Sequence, residues 1–240
     1  MTMLVPRRPQ VPDWPAYLAD RAEKARDPRL ARFFAAGTAS PDTPIGEAPM
    51  VALDMETTGL DARRHAIVSI GVVPFTLGRI ALSERRYWIV RPQRTLHAES
   101  VTFHHITHSD IERAPEFGEI LDDLLETLAG RLVVVHYRHI ERLFLDDSVK
   151  ARLGEGLIFP VIDTMAVEAR FHRQSWLARF KRWVGRPPAS IRLYDSRGRY
   201  GLPLYQGHHA LTDALATAEL LQAQVAHHYQ PEMPIGQLWT

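Results

Sequence analysis

Asp54 and Glu56 stand two residues apart at the end of the apolar run Val51-Ala52-Leu53, directly before the turn-forming Thr57-Thr58-Gly59. Residues i and i+2 of a β-strand share a face, so this spacing sets two carboxylates side by side. Val51 to Leu53 is apolar on both faces, which is the pattern of a central strand. Acids at the end of such a strand are costly unless paired or bound to a cation. Mg²⁺ and Mn²⁺ prefer carboxylate and water ligands. The pair alone also fits a solvated face, so the rest of the chain has to decide.

The elements that must position these acids follow a recognisable order. Residues 14–36 carry apolar positions at three- and four-residue steps and read as one or two amphipathic helices broken near Asp27-Pro28. A linker-like stretch, GTASPDTPIGEAP, follows. MVALDM, AIVSIGVVPF and ALSERRYWIV are β-rich runs at hairpin spacing. FGEILDDLLETLAG (117–130) has a helical stripe, RLVVV (131–135) is a short apolar strand, and HIERLFLDDSVKARLG is a second helix. FPVIDTMAVEARFH reads as a strand entering a helix, and residues 210–228 form a long helix rich in Ala and Leu. Three strands followed by alternating helix and strand give an α/β fold, a mixed sheet flanked by helices.

The 240 residues suit one such domain with an appendage, and the apolar content of 45% argues against wholesale disorder. A net charge of +1 supplies no global field for nucleic acid, so any basic surface must be local. The absence of cysteine excludes disulfides and thiolate zinc sites. No apolar run reaches the roughly 18–20 residues of a membrane span, and the N-terminus has no signal-like apolar stretch. The expectation is a cytoplasmic protein without a membrane partner.

Three segments share features with one family. The run D-M-E-T-T-G (54–59) resembles the first motif of the DEDDh exonucleases, which include polymerase III epsilon-like proofreading subunits, oligoribonuclease and ribonuclease T. His104-His105-Ile106-Thr107 is similar to the family's short H-x-I-T segment. The run HHALTD (208–213) resembles the third motif, H-x-A-x-x-D, with His208 and Asp213 in the key places. The second motif, H-N-A-x-F-D in the family, aligns with H-Y-R-H-I-E (136–141), so Glu141 stands where aspartate is expected. Asp146 and Asp147 are fallback acids. Residues five and six apart on a helix lie about 140° and 240° apart, so neither would face the way Glu141 does.

The resemblance covers residues 50–228 and implies a ribonuclease-H-like fold. On that basis the chain divides into a helical N-terminal extension and linker (1–46), an exonuclease domain (47–230) and a C-terminal tail (231–240). It also implies a metal-dependent 3′–5′ exonuclease releasing nucleoside 5′-monophosphates from single strands, with DNA favoured over RNA. Two Mg²⁺ or Mn²⁺ ions would be held by Asp54, Glu56, Asp213 and Glu141, and His208 would act as general base, with His209 its rival. Thr57, Thr58, Gly59 and His104 would lie at the terminal nucleotide, Gly59 through close backbone approach and a positive φ. The alternative is a catalytically impaired nucleic-acid-binding module, or a polymerase- or repair-associated subunit that engages a protein partner through the N-terminal helices. The resemblance leaves oligomeric state open.

Two other features invite chemistry. Between Arg170 and Arg199 nine Arg or Lys face the single acid Asp195, with Trp176, Trp183, Tyr194 and Tyr200 in or beside the run. Cations neutralise phosphates and aromatic faces stack on unpaired bases; a partly packed insertion is the other reading. Twelve histidines include spacings such as His136/His139 that could ligate zinc, but no H-E-x-x-H helix is present. Asp163 ends another apolar strand; the family often has D-T at that place, which implies a structural role or support of the ligands rather than direct ligation.

Overall fold

Five strands, β1 (Met50–Thr57), β2 (Ile67–Phe75), β3 (Arg86–Ile89), β4 (Leu132–Val135) and β5 (Val161–Asp163), form one sheet in the order β3-β2-β1-β4-β5. β1 lies at its centre, antiparallel to β2 and parallel to β4, as the doubly apolar run Val51–Leu53 required. The computed structural model describes residues 13–92, 106–176, 180, 183–185 and 187–240. Its helices are α1 (Trp14–Lys24), α2 (Pro28–Ala36), α3 (His108–Arg113), α4 (Phe117–Leu128), α5 (Arg138–Leu153), α6 (Thr164–His172), α7 (Leu193–Arg199) and α8 (Ala210–His228).

Local chemistry fixes the helix starts. Asp27 caps α2 by accepting the Arg29 N–H at 2.9 Å, and Pro28 occupies the first helical position, so the N-terminal helical segment breaks there. Thr107 and Asp110 form a reciprocal capping box at α3. ALSERRYWIV is not one strand. Leu82–Glu84 turns as a 3₁₀ segment and only Arg86–Ile89 pairs, giving a short edge strand that is half-buried beyond Arg86.

The pleat of β1 sorts its side chains. Val51, Leu53 and Met55 join the core on the face covered by α4 and α5, which Leu18, Leu30, Phe33 and Phe34 of α1 and α2 also enter. Met50 and Ala52 join the opposite core beneath α8, with Ala214, Ala218, Leu221 and Val225. By the same period of two, Asp54 and Glu56 point to the α8 side. Residues 231–240 lie against the linker and β5, through Ile45 N–H to Met233 O at 2.9 Å and Thr240 N–H to Val161 O at 3.0 Å.

The run from Arg170 to Arg199 divides in two. Arg197 and Arg199 are not phosphate-facing: Arg197 is buried and pairs with Glu219 at 2.6 Å, and Arg199 pairs with Glu168 at 2.6 Å. Tyr200 donates to Glu168 at 2.6 Å. Trp176, Trp183 and Tyr194 are exposed. Among the described residues no helix is long and apolar enough to cross a membrane.

Candidate active site

Asp54, Glu56 and Asp213 each bring a carboxylate oxygen to within 4.8 Å of those of the other two. The strand spacing delivers the first two, and the first turn of α8 delivers Asp213. What lets the helix come so close is Gly71, directly opposite Asp54 on β2. A Cβ there would collide with the backbone of Ala210 and Leu211. Glycine inside a strand marks such close approaches. The sequence signal for it is the lone glycine inside the β-run SIGVV.

β4 runs beside β1, so α5 begins beyond the same end of the sheet, and Glu141 sits in its first turn. The crossing from β4 to α5 is strained: Tyr137 has φ 96° and ψ 70°. Asp163 holds it there, accepting from Tyr137 N–H at 3.1 Å and Arg138 N–H at 3.2 Å while capping α6 through Met165 and Ala166. One carboxylate thus ties two helix starts together. Glu141 lies outside the tight group of three, but its charge bears on Asp54. Asp146 is committed elsewhere, accepting the Leu157 N–H at 2.9 Å.

Burial and the facing charges of Glu141, Asp213 and Glu56 push the Asp54 carboxyl well above the ordinary carboxylate range. Burial likewise raises Glu141 strongly and Asp213 to a lesser degree, the latter opposed by the His208 backbone N–H, which donates to Asp213 at 2.8 Å. Glu141 Oε2 is buried without a hydrogen-bond partner among the described residues. Converging carboxylates that resist joint ionisation, one carrying an orphaned acceptor, form an all-oxygen donor set suited to a hard divalent cation.

His208 is exposed and adopts φ 67° on the loop before α8. Its rival His209 is held, its ring stacked on Tyr87 at 4.6 Å. In the turn after Glu56, Thr57 Oγ1 donates to Gly59 O at 2.8 Å, and Thr58 Oγ1 lies 3.2 Å from His65 Nδ1. Gly59 does not take the positive φ expected of it. A Cβ there would meet the His65 ring, which packs directly over Gly59. His104 lies outside the described residues. His136 is no zinc ligand in this arrangement: its ring nitrogens contact Thr164 Oγ1 at 2.8 Å and Ile191 O at 3.1 Å.

With this geometry in view, known proteins give a consistent placement. The profile of the exonuclease family (RNase T type) matches residues 51–221. DNA polymerase III subunit epsilon of Treponema pallidum is 28% identical over 177 residues, covering 74% of this chain and 76% of that one. A PolC-type DNA polymerase III of Thermotoga maritima is 29% identical over 181 residues, but the chain spans only 12% of it. Among solved structures, the nuclease domain of 3′hExo, a DEDDh family member bound to rAMP, superposes with a TM-score of 0.60 at 17% identity, covering 75% of this chain and 92% of that one. Exonuclease X in complex with 5′ overhanging duplex DNA gives 0.57 at 20%, covering 79% and 98%. These last two share the fold. With its profile match and an acid cluster suited to divalent metal, the chain belongs to the exonuclease family, in its DEDDh, epsilon-like branch.

Proposed function

We propose that the protein removes nucleotides one at a time from the 3′ end of single-stranded nucleic acid, DNA in preference to RNA, releasing nucleoside 5′-monophosphates. The observation that carries this reading is the convergence of Asp54, Glu56 and Asp213 within 4.8 Å at a sheet end that Glu141 also approaches. Asp54, Glu56 and Asp213 would hold one Mg²⁺ or Mn²⁺, with Asp54 and Glu141 serving a second. Bound there, such cations supply positive charge that admits a nucleophile to the phosphodiester and stabilises the leaving oxygen.

The chain's own groups supply the rest. His208, exposed on the loop before α8 with its backbone N–H on Asp213, takes a proton from the attacking water. The turn of Thr57, Thr58 and Gly59, tied by its own hydroxyl contacts and by His65, presents its backbone to the terminal nucleotide, with His104 as a further contact. Asp163 orients Glu141 by fixing the strained turn before α5. Because the relatives are polymerase subunits by name, a polymerase is the protein partner to test.

Direction and mode are tested together with a linear single strand, the same strand carrying a 3′-phosphate, and a circular strand. The proposal expects labelled mononucleotide from the 3′ end of the linear strand at first turnover and no cutting of the circle. Cleavage of the circle would overturn it.

A further inference from the structure

A second feature adjoins the turn after Glu56. A cavity of about 350 Å³ opens between that turn, the end of β3, α4 and α5. Its lining is mixed, with Ile67, Val90 and Phe117, each nearly buried in the core, among its apolar side chains. Its rim is cationic: Arg63, Arg91, Lys150 and Arg152 stand against the single carboxylate Asp147, with Arg91 also 3.2 Å from Glu116. His65 completes the rim.

Two details describe how the rim is built and what it adjoins. Arg152 crosses directly over Gly118 in the first turn of α4, where a Cβ would run into its guanidinium. His65 contacts Thr58 and packs against Gly59, so the cavity shares a wall with the turn beside the acid cluster. Lys150 lies on the same helix as Glu141, nine residues on, or about 13 Å along the axis. A cavity of this volume with apolar side chains beside several cations fits a flat ring with an attached phosphate.

We infer that this cavity holds a nucleoside phosphate unit, which rests on the nuclease reading for its chemical class. The unit is either a nucleotide of the strand being degraded, behind its 3′ end, or a free mononucleotide of the kind the reaction releases. Arginine and lysine on the rim take the phosphate, and Ile67, Val90 and Phe117 receive the base.

The test uses the full chain and the double variant Lys150→Gln/Arg152→Gln, which alters two exposed side chains remote from the acids. Binding of a fluorescent single-stranded oligonucleotide is followed by anisotropy in chelator across a salt series, so no turnover is needed. Calorimetry with thymidine 5′-monophosphate is run in parallel. Hydrolysis of the p-nitrophenyl ester of that nucleotide, which carries one phosphodiester, monitors the catalytic centre separately. If the strand occupies the cavity, the variant binds it about tenfold more weakly, and the slope of log affinity against log salt falls by about 1.4, roughly 0.7 per lost phosphate contact. Ester hydrolysis then stays unchanged. If free mononucleotide is the occupant, strand binding is unaltered and mononucleotide binding is lost. Unchanged binding of both overturns the inference. A wild type that hydrolyses neither ester nor strand sinks the nuclease reading instead.

Discussion

Replacing Asp54 by asparagine should stabilise the metal-free protein while destroying its activity. Asp54, Glu56 and Asp213 lie within 4.8 Å of one another. At that distance and an effective dielectric of about 20, two full charges repel by about 3.5 kcal/mol. Proton uptake already relieves part of this, because burial and the facing acids raise the Asp54 carboxyl. A gain of about 2 kcal/mol at pH 8 is therefore reasonable, or about 4–8 °C in Tm. The sign follows from linkage: a carboxyl raised in the folded state costs stability above its folded pKa and nothing below its unfolded one. The advantage of Asp54→Asn should thus shrink as pH falls toward 4. Added Mn²⁺ should reverse the order, since a cation at 100 times its Kd stabilises by about 2.7 kcal/mol and the variant has lost a ligand. The assay is thermal melting of both proteins with chelator and with Mn²⁺, at pH 8 and pH 5. An Asn variant that melts below wild type in chelator, or gains equally from Mn²⁺, would refute the reasoning.

Three other perturbations have expected outcomes. Glu141→Asp should lower kcat by about 10–100-fold on any strand, because retreat by one methylene displaces a buried carboxylate by about 1 Å; a gain in rate would mark Glu141 as a crippling change. Gly71→Ala should cost about 1–3 kcal/mol by overpacking α8 against β2, read by urea melts, and should lower activity by displacing Asp213. His136, whose burial lowers its pKa to about 4, binds its proton first in the unfolded chain. Stability should be whole above pH 6.5 and fall by about 3 kcal/mol as pH drops toward 4. A His136→Gln variant should lack that component in denaturant titrations at stepped pH.

Much of this site was legible because its signals are local. The two-residue spacing of Asp54 and Glu56 fixed a shared face, the unbroken Ala–Leu stripe fixed α8 at 210–228, and Asp27-Pro28 marked the break between α1 and α2. The misreadings concern partners far away in sequence. Arg197 and Arg199 looked like free cations because Glu219 and Glu168, which hold them, lie 22 and 31 residues off. The clamp of Asp163 on the Tyr137 turn spans 26 residues. Gly59 in the motif suggests a positive φ, whereas the structure packs it under His65, brought back by the β1–β2 turn. The third strand is shorter than its β-rich run because Leu82–Glu84 turns as a 3₁₀ segment, leaving Arg86–Ile89 to pair with β2.

The most direct test of catalysis at the acid cluster is a time course on 5′-labelled single-stranded DNA and RNA, with Mg²⁺, with Mn²⁺ and with chelator. Wild type is run beside Asp54→Ala. The account predicts a ladder that shortens from the 3′ end only with metal, runs faster on DNA, and is absent in the variant. A variant that degrades the strand as wild type does, or a wild type indifferent to chelator, would contradict it.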